Sequence, residues 1–431
     1  MRITFVNHAS FIIEYGAVRL ICDPWMEGTA FDNGWALLSR TRLQYEDFKT
    51  ITHIWFSHEH PDHFAPPNLL KIPLEYRKRI TVLFQETTDR KVAGFCKKLE
   101  FKEQVELKKD TYYAVGSGLE IRCDPYTDGD SYAVFRTATN TLLNLNDCVV
   151  DTAEKASRLA RSIGKVDVLF TQFGYANKVG NTNDVDLRLA ASKEKLERIR
   201  QQTAFLEPKA VVPFASFIHF CHTENAYMNK GANRIDAVDT FVQQELGKQC
   251  VVLYPGDTWS IEGPHDPTDA IQRYSRDFAE VDARSLLTSD PVDIGTLKKN
   301  GDAFVQTLLA GYPTYRNKIH ALGALIHVTD HGNTFSLSGK EGFREHSVDP
   351  KTCDVSLGSE ALNYCFSQLW GGDTLNVNAR FQIPEGGQYR NFRMFGAVAS
   401  QLNRKEGIAE LFPTTIDRAI AKTKRILGIG S

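Results

Sequence analysis

Residues Thr52 to Phe64 read Thr-His-Ile-Trp-Phe-Ser-His-Glu-His-Pro-Asp-His-Phe, and within them His58, His60, Asp62 and His63 form an H-x-H-x-D-H pattern. Three imidazoles and a carboxylate this close in sequence can all be aimed at one point by a single turn. Zinc, and iron as well, favours neutral imidazole nitrogen supplemented by carboxylate oxygen. A metal so held lowers the pKa of a bound water and polarises a carbonyl or phosphoryl oxygen. The bland alternative is a polar loop that happens to be rich in histidine. The spacing argues against it, because scattered surface histidines rarely fall at ligand intervals.

The elements that must position these residues alternate between sheet and helix. Ile54-Trp55-Phe56 is an apolar run ending a buried strand just ahead of the pattern. Before it, Arg2 to Val6, Ser10 to Tyr15 and Val18 to Cys22 read as a meander of short strands. The third ends at Asp23-Pro24-Trp25, where the carboxylate is either a turn residue or a support that reaches a ligand histidine and fixes its tautomer. His8 sits between the first two strands, a position that more often holds a packed turn residue. A second meander, Leu119 to Cys123, Tyr132 to Ala138 and Thr141 to Leu145, ends at Asn146-Asp147. Helix Ala153 to Ile163, strand Val166 to Phe170, helix Lys193 to Leu206 and strand Ala210 to Phe214 follow, the last leading to His219 and His222. The candidate ligands thus fall just past strand C-termini, where loops of α/β layers converge on one cleft.

A chain of 431 residues is too long for one typical domain. We expect a metal-binding catalytic domain over 1–262, a polar linker over 263–290 and a smaller α+β domain over 291–431. In the last, Leu325 to Thr329, Phe335 to Leu337, Asp354 to Leu357 and Leu375 to Phe381 read as strands. Ser359 reads as the cap of a helix, and Thr415 to Leu427 as a closing amphipathic helix. With 51 basic and 53 acidic residues the charge is nearly balanced, which gives no reason to expect nucleic acid as a partner. No signal peptide and no membrane span are expected. The eight cysteines show no C-x-x-C pair and no Rieske cluster pattern, so buried reduced thiols of a cytoplasmic protein are expected.

The His58–His63 stretch, the flanking meanders, Asp147 and His222 together resemble the metallo-β-lactamase superfamily, over roughly residues 1–262. The resemblance implies an αβ/βα sandwich with one or two metals at the edge between its sheets. It implies that His58 and His60 serve one metal, Asp62 and His63 the other, that Asp147 bridges and that His222 is the last histidine ligand. Asn7-His8-Ala9-Ser10 and Asp23-Pro24-Trp25 look like the opening motifs of the branch containing the ascorbate-phosphate lactonases, where such a histidine faces the site and such an aspartate supports a ligand. A closer likeness is to the catalytic domain of the CMP-N-acetylneuraminate hydroxylases, carried by Asp23-Pro24-Trp25, Gly34-Trp35, Leu142-Leu143-Asn144 with Asp147-Cys148, and Pro213-Phe214-Ala215 ahead of His222. Phe366 to Phe381 looks like a sterol-carrier-like module. The chain departs from the family pattern in having no histidine between His63 and His219. Asp128 or Asp130 can supply an oxygen in place of the family's middle histidine, which shifts the site toward iron or manganese. It departs again in lacking the hydroxylases' Rieske cluster.

Two functional expectations follow. One is a di-iron monooxygenase acting on a small polar molecule, with electrons from a separate reductase or Rieske protein. The other is a dinuclear zinc, manganese or iron hydrolase of an ester, lactone or phosphoester, in which Asp62 or His219 handles protons. Under either, two divalent metals are expected, iron favoured, with His8 and His219 as candidate catalytic groups. A carrier with a vestigial metal site ranks last. The sequence leaves the substrate and the oligomeric state open.

Overall fold

The computed structural model describes residues 1–413, apart from the side chain of Asp128. The closing helix expected over Thr415 to Leu427 lies outside the described residues. The chain divides into two compact units. The first holds Met1–Gly180, Asp184–Cys221 and Met228–Ser285; the second holds Asn181–Asn183, His222–Tyr227 and the chain from Leu286 onward.

The first unit contains two seven-stranded sheets. One runs in the order Thr258–Ser260, Arg2–Asn7, Ser10–Tyr15, Val18–Cys22, His53–Trp55, Thr81–Gln85 and Glu103–Leu107. The other runs Gln249–Cys250, Ala210–Phe214, Val168–Gln172, Thr141–Asn144, Ser131–Arg136, Leu119–Pro125 and Tyr112–Gly116. Each begins as an antiparallel meander and passes to parallel pairing, at Val18–Cys22 beside His53–Trp55 and at Thr141–Asn144 beside Val168–Gln172.

Period-two alternation sorts the strand side chains between two faces. Phe11, Ile13, Leu20, Cys22 and Trp55 enter the core between the sheets, where Phe11 stacks on Phe170 at 4.3 Å and Trp55 meets Phe135 edge-on at 5.9 Å. Ile12, Ile21 and Ile54 point to the opposite face, against Leu69, Val92 and Cys96 of the helices Pro66–Lys71 and Lys91–Lys98. On the other sheet Leu143 and Leu169 pack against Ala156, Leu159 and Leu206 from the helices Ala153–Ile163 and Val185–Leu206. Both sheets are therefore covered on both faces, which gives the αβ/βα sandwich. Each fully buried Leu, Ile or Phe contributes roughly 1.5–3 kcal/mol to holding it shut.

The expected linker over 263–290 is corrected. It carries the helix Thr268–Glu280, and Ala270 and Tyr274 are buried in the core of the first unit. Tyr274 stacks on Phe217 at 4.2 Å and donates its hydroxyl to the Leu253 carbonyl at 2.8 Å. Few apolar side chains suffice to dock a helix that otherwise reads as polar.

The second unit is α+β. Its five-stranded sheet runs Gly342–Glu345, Asn333–Ser338, Gly323–Val328, Val355–Leu357 and Phe381–Gln382. The helices Ile294–Gly311, Ser359–Ser367 and Tyr389–Arg404 bury Phe304, Leu308, Leu362, Phe366, Phe395 and Val398 in one core with it. The strand expected over Leu375 to Phe381 is corrected to a helix, Gly371–Asn378, followed by the short strand Phe381–Gln382. Gly371, Thr374, Leu375 and Asn378 are the buried positions, a helical spacing that the polar Thr374 and Asn378 conceal. Ser359 opens the helix Ser359–Ser367 as its first residue, and Gly358 holds the cap position.

Candidate metal centre

The His58–His63 stretch leaves the strand His53–Trp55 and closes on itself at once. The amides of His63 and Phe64 donate to the His60 carbonyl at 3.0 and 2.7 Å, so Asp62 and His63 return over His58 and His60. Two further strand ends approach it. Asp23 follows Val18–Cys22 in the same sheet, and Asp147 follows Thr141–Asn144 in the facing one. Asp130 stands immediately before Ser131–Arg136, after the turn Thr127–Gly129. His8 is the turn residue after Arg2–Asn7.

Ligand-type atoms gather there in three overlapping groups, each within 4.8 Å of one another: His8, Asp62 and His63; His58, His60 and Asp130; His58, His63 and Asp147. His63 Nε2 lies 3.3 Å from Asp62 Oδ2 and 3.4 Å from Asp147 Oδ1. His8 Nε2 lies 3.3 Å from the same Asp62 oxygen. On the other side His58 Nε2 faces His60 Nδ1 at 2.9 Å and stands 3.8 Å from both Asp130 Oδ1 and Asp147 Oδ2. Asp147 thus turns one oxygen to each side, as a bridging carboxylate does.

The buried groups fit a metal pair. Asp62 Oδ1 is buried without a hydrogen bond, and such an atom is costly unless something else satisfies it. The donor set is nitrogen and oxygen only, four imidazoles and three carboxylates. Burial holds His58 neutral, well below the usual imidazole range, with the charges of His63 and His60 adding to the effect. Burial works to raise the Asp147 carboxyl, but His63 and His58 outweigh it and bring it down to about 2. Asp62 is likewise held well below the usual carboxylate range, where His63 and His8 overcome burial. His63 is raised well above the usual range because Asp62 and Asp147 overcome burial. A metal ion held there would take the place of that proton.

Asp23 is the hub that orients the site. It is fully buried and accepts from the Ser57 amide at 2.8 Å, the Ser57 hydroxyl at 2.7 Å, His63 Nδ1 at 3.1 Å and Asn146 Nδ2 at 2.6 Å. The bond to Nδ1 fixes the His63 tautomer and leaves Nε2 as a ligand nitrogen. Backbone strain concentrates here too. His8, Asp23 and Asn146 adopt φ of 41°, 40° and 49°, each costing about 1–3 kcal/mol and kept only because the surroundings enforce it.

His222 and His219 belong to none of these three groups. His222 belongs to the second unit, where its Nδ1 accepts from the Glu224 amide at 3.2 Å and its Nε2 lies 3.2 Å from the Ser289 hydroxyl. A nitrogen that accepts an amide proton is unprotonated, so the neutral ring carries its proton on Nε2. None of the three groups includes it. His219 Nδ1 lies 3.4 Å from the Arg284 guanidinium, and burial together with that charge lowers it to about 4. None of the groups includes His219 either. Of the two candidates for the missing middle ligand, Asp130 joins His58 and His60, and the side chain of Asp128 is outside those described. Ser57 and Asn146, which complete the Asp23 hub, carry no local signal beyond their places at strand ends.

The fold and these ligand groups define a metalloenzyme of the α/β sandwich class. A family model described as the beta-lactamase superfamily domain matches residues 2–258, more than half of the chain, and the chain belongs to that family. It is similar to the cytidine monophosphate-N-acetylneuraminic acid hydroxylase of Cricetulus griseus, 23% identical over 291 residues covering 63% of this chain and 50% of the relative. It is also similar to a protein of Mycolicibacterium smegmatis named for a Rieske 2Fe-2S centre, 26% identical over 231 residues, 50% of this chain and 43% of that one. The chain spans about half the length of these curated relatives. Among solved structures it is similar to the diiron beta-hydroxylase CmlA from Streptomyces venezuelae, with 18% identity, a TM-score of 0.44, and coverage of 60% of this chain and 53% of that one. Among the described residues no helix is long and apolar enough to cross a membrane.

Proposed function

We propose that the chain is a dinuclear non-haem iron oxygenase that hydroxylates a small polar molecule, with electrons from a reductase or Rieske-type centre outside these residues. The observation that carries this reading is the position of Asp130 beside His58 and His60, where the family resemblance implies a histidine. With Asp62 and Asp147 it makes the ligand set rich in carboxylate, which favours iron or manganese over zinc. The curated relatives named as a hydroxylase and as a Rieske protein support the same direction.

His58, His60 and Asp130 would hold one ion, and His8, Asp62 and His63 the other, with Asp147 between them. Such a pair, when it is iron, supplies redox steps at which dioxygen is reduced. The chain's own part is to present deprotonated ligands in fixed tautomers. Asp23 does this for His63 through Nδ1, and the Ser57 hydroxyl stands 2.9 Å from His58 Nδ1 to the same end. Buried aromatic rings close the outer side. Trp25 meets the His8 ring edge-on at 5.6 Å and Phe31 meets the His60 ring edge-on at 5.8 Å, contacts that limit how far either imidazole can turn.

The test is metal analysis and Mössbauer spectroscopy of protein purified without oxygen. Two irons per chain, with oxygen uptake on addition of a reductant, are expected. Two zinc ions with oxygen-independent cleavage of an ester or lactone would instead establish the hydrolase.

A further inference from the structure

Behind the bridging carboxylate lies a pair of side chains that none of the ligand groups uses. Gln172 ends the strand Val168–Gln172, the parallel neighbour of the strand that leads to Asp147. Its Nε2 donates to Asp147 Oδ1 at 2.7 Å. Its Oε1 accepts from Lys195 Nζ, on the helix Val185–Leu206, at 3.3 Å.

A primary amide can be turned end for end, so its orientation has to be imposed by its neighbours. An ammonium only donates and an ionised carboxylate only accepts. Between Lys195 and Asp147, Gln172 therefore has one orientation that satisfies both. The Lys195 charge pins the amide oxygen and so commits the amide nitrogen to Asp147. The consequence falls on one oxygen of the carboxylate. Oδ1, the atom 3.4 Å from His63 Nε2, carries a fixed donor, whereas Oδ2, toward His58, does not receive it.

We propose that Lys195 and Gln172 are positioning residues for the metal pair, acting in series to hold Asp147 in its bridging orientation. This rests on the dinuclear reading above. Without Lys195 the amide is free to turn its oxygen toward Asp147, where it repels the carboxylate. Without Gln172 the carboxylate loses the contact that fixes its plane. Outer partners of metal ligands of this kind are typically worth about 10–100-fold in metal affinity.

The experiment titrates manganese(II) into metal-free wild type, Lys195→Met, Gln172→Leu, the double variant and Lys195→Arg. Free ion is followed by electron paramagnetic resonance, and melting of each metal-free protein is measured in parallel. The expected result is a tenfold or greater weakening of manganese binding in each single variant. The double variant should be no weaker than the worse single one, because residues acting in series are not additive. Lys195→Arg, which keeps a cationic donor, should retain wild-type affinity. Single variants that bind manganese as wild type does, or that add in the double variant, overturn the proposal, as does a lowered melting temperature with unchanged affinity. A wild type that binds no manganese, iron or zinc sinks the dinuclear reading itself, a result distinct from wild-type binding that the variants leave untouched.

Discussion

Replacing Asp23 with alanine separates the two tasks the structure gives this residue. Four donors converge on its buried carboxylate: the Ser57 amide, the Ser57 hydroxyl, His63 Nδ1 and Asn146 Nδ2. Two have somewhere else to turn. The Ser57 hydroxyl can donate to His58 Nδ1 at 2.9 Å once that metal-free ring carries its proton on Nε2, and His63 Nδ1 has the Ser57 hydroxyl at 3.4 Å. The Ser57 amide and the Asn146 amide are left as buried donors, at about 1–3 kcal/mol each. Metal-free Asp23→Ala should therefore lose roughly 2–6 kcal/mol, a large part of the roughly 5–15 kcal/mol that holds a protein folded. At about 2–4 °C per kcal/mol for a unit of this size, melting should fall by roughly 4–24 °C. Metal affinity should fall independently, because His63 no longer has its tautomer set, and about 10–100-fold is the scale for such a contact. The assay is chelator competition well below the lowered melting temperature, with Ser57→Ala as the control that removes only the hydroxyl bond. An Asp23→Ala protein that melts with wild type and keeps its metal affinity would refute the hub.

Asp130→Ala should bind one ion less tightly than wild type while the other position fills normally, and Asp130→His should draw zinc in preference to iron when cells are grown with both. Metal content per chain checks both, and full iron loading of Asp130→Ala would remove Asp130 from the site. His219 gives a pH prediction for the metal-free protein. Its folded imidazole is lowered to about 4 by burial and Arg284, whereas an unfolded imidazole titrates near about 6.5. As pH falls from about 6.5 to about 4 the unfolded chain takes up this proton and the folded chain does not, so stability is lost across that window. His219→Gln should flatten that part of the melting profile, and parallel profiles for the two proteins would show that His219 does not contribute.

The sequence exposes some parts of the site and hides others for physical reasons. His58 to His63 is legible because its ligands are local, so spacing alone carries geometry. Asp147 is reached only through resemblance, since one aspartate at a strand end looks like any other. Asp128 and Asp130 stay unresolved in sequence because which carboxylate faces the histidines depends on the turn Thr127–Gly129, whose register no composition records. His219 and His222 look equivalent, but Cys221 ends the run held by the first unit and His222 opens a segment of the second. The helix Gly371–Asn378 reads as a strand because polar Thr374 and Asn378 occupy its inner face.

The contacts that complete the site also staple the sandwich. Asn146 Nδ2 reaches Asp23 across the two sheets at 2.6 Å, and Gln85 Nε2 reaches the Gly129 carbonyl at 2.6 Å. Ligands come from both sides as well, His58 to His63 from one sheet and Asp130 and Asp147 from the other. No half of the sandwich alone presents a complete set for two ions. Metal binding and closure of the sheets are therefore one linked equilibrium, in which an ion present at a hundred times its dissociation constant adds about 2.7 kcal/mol to the folded state. The left-handed backbone at His8, Asp23 and Asn146 draws on the same reserve, since such conformations persist only where the surrounding structure enforces them.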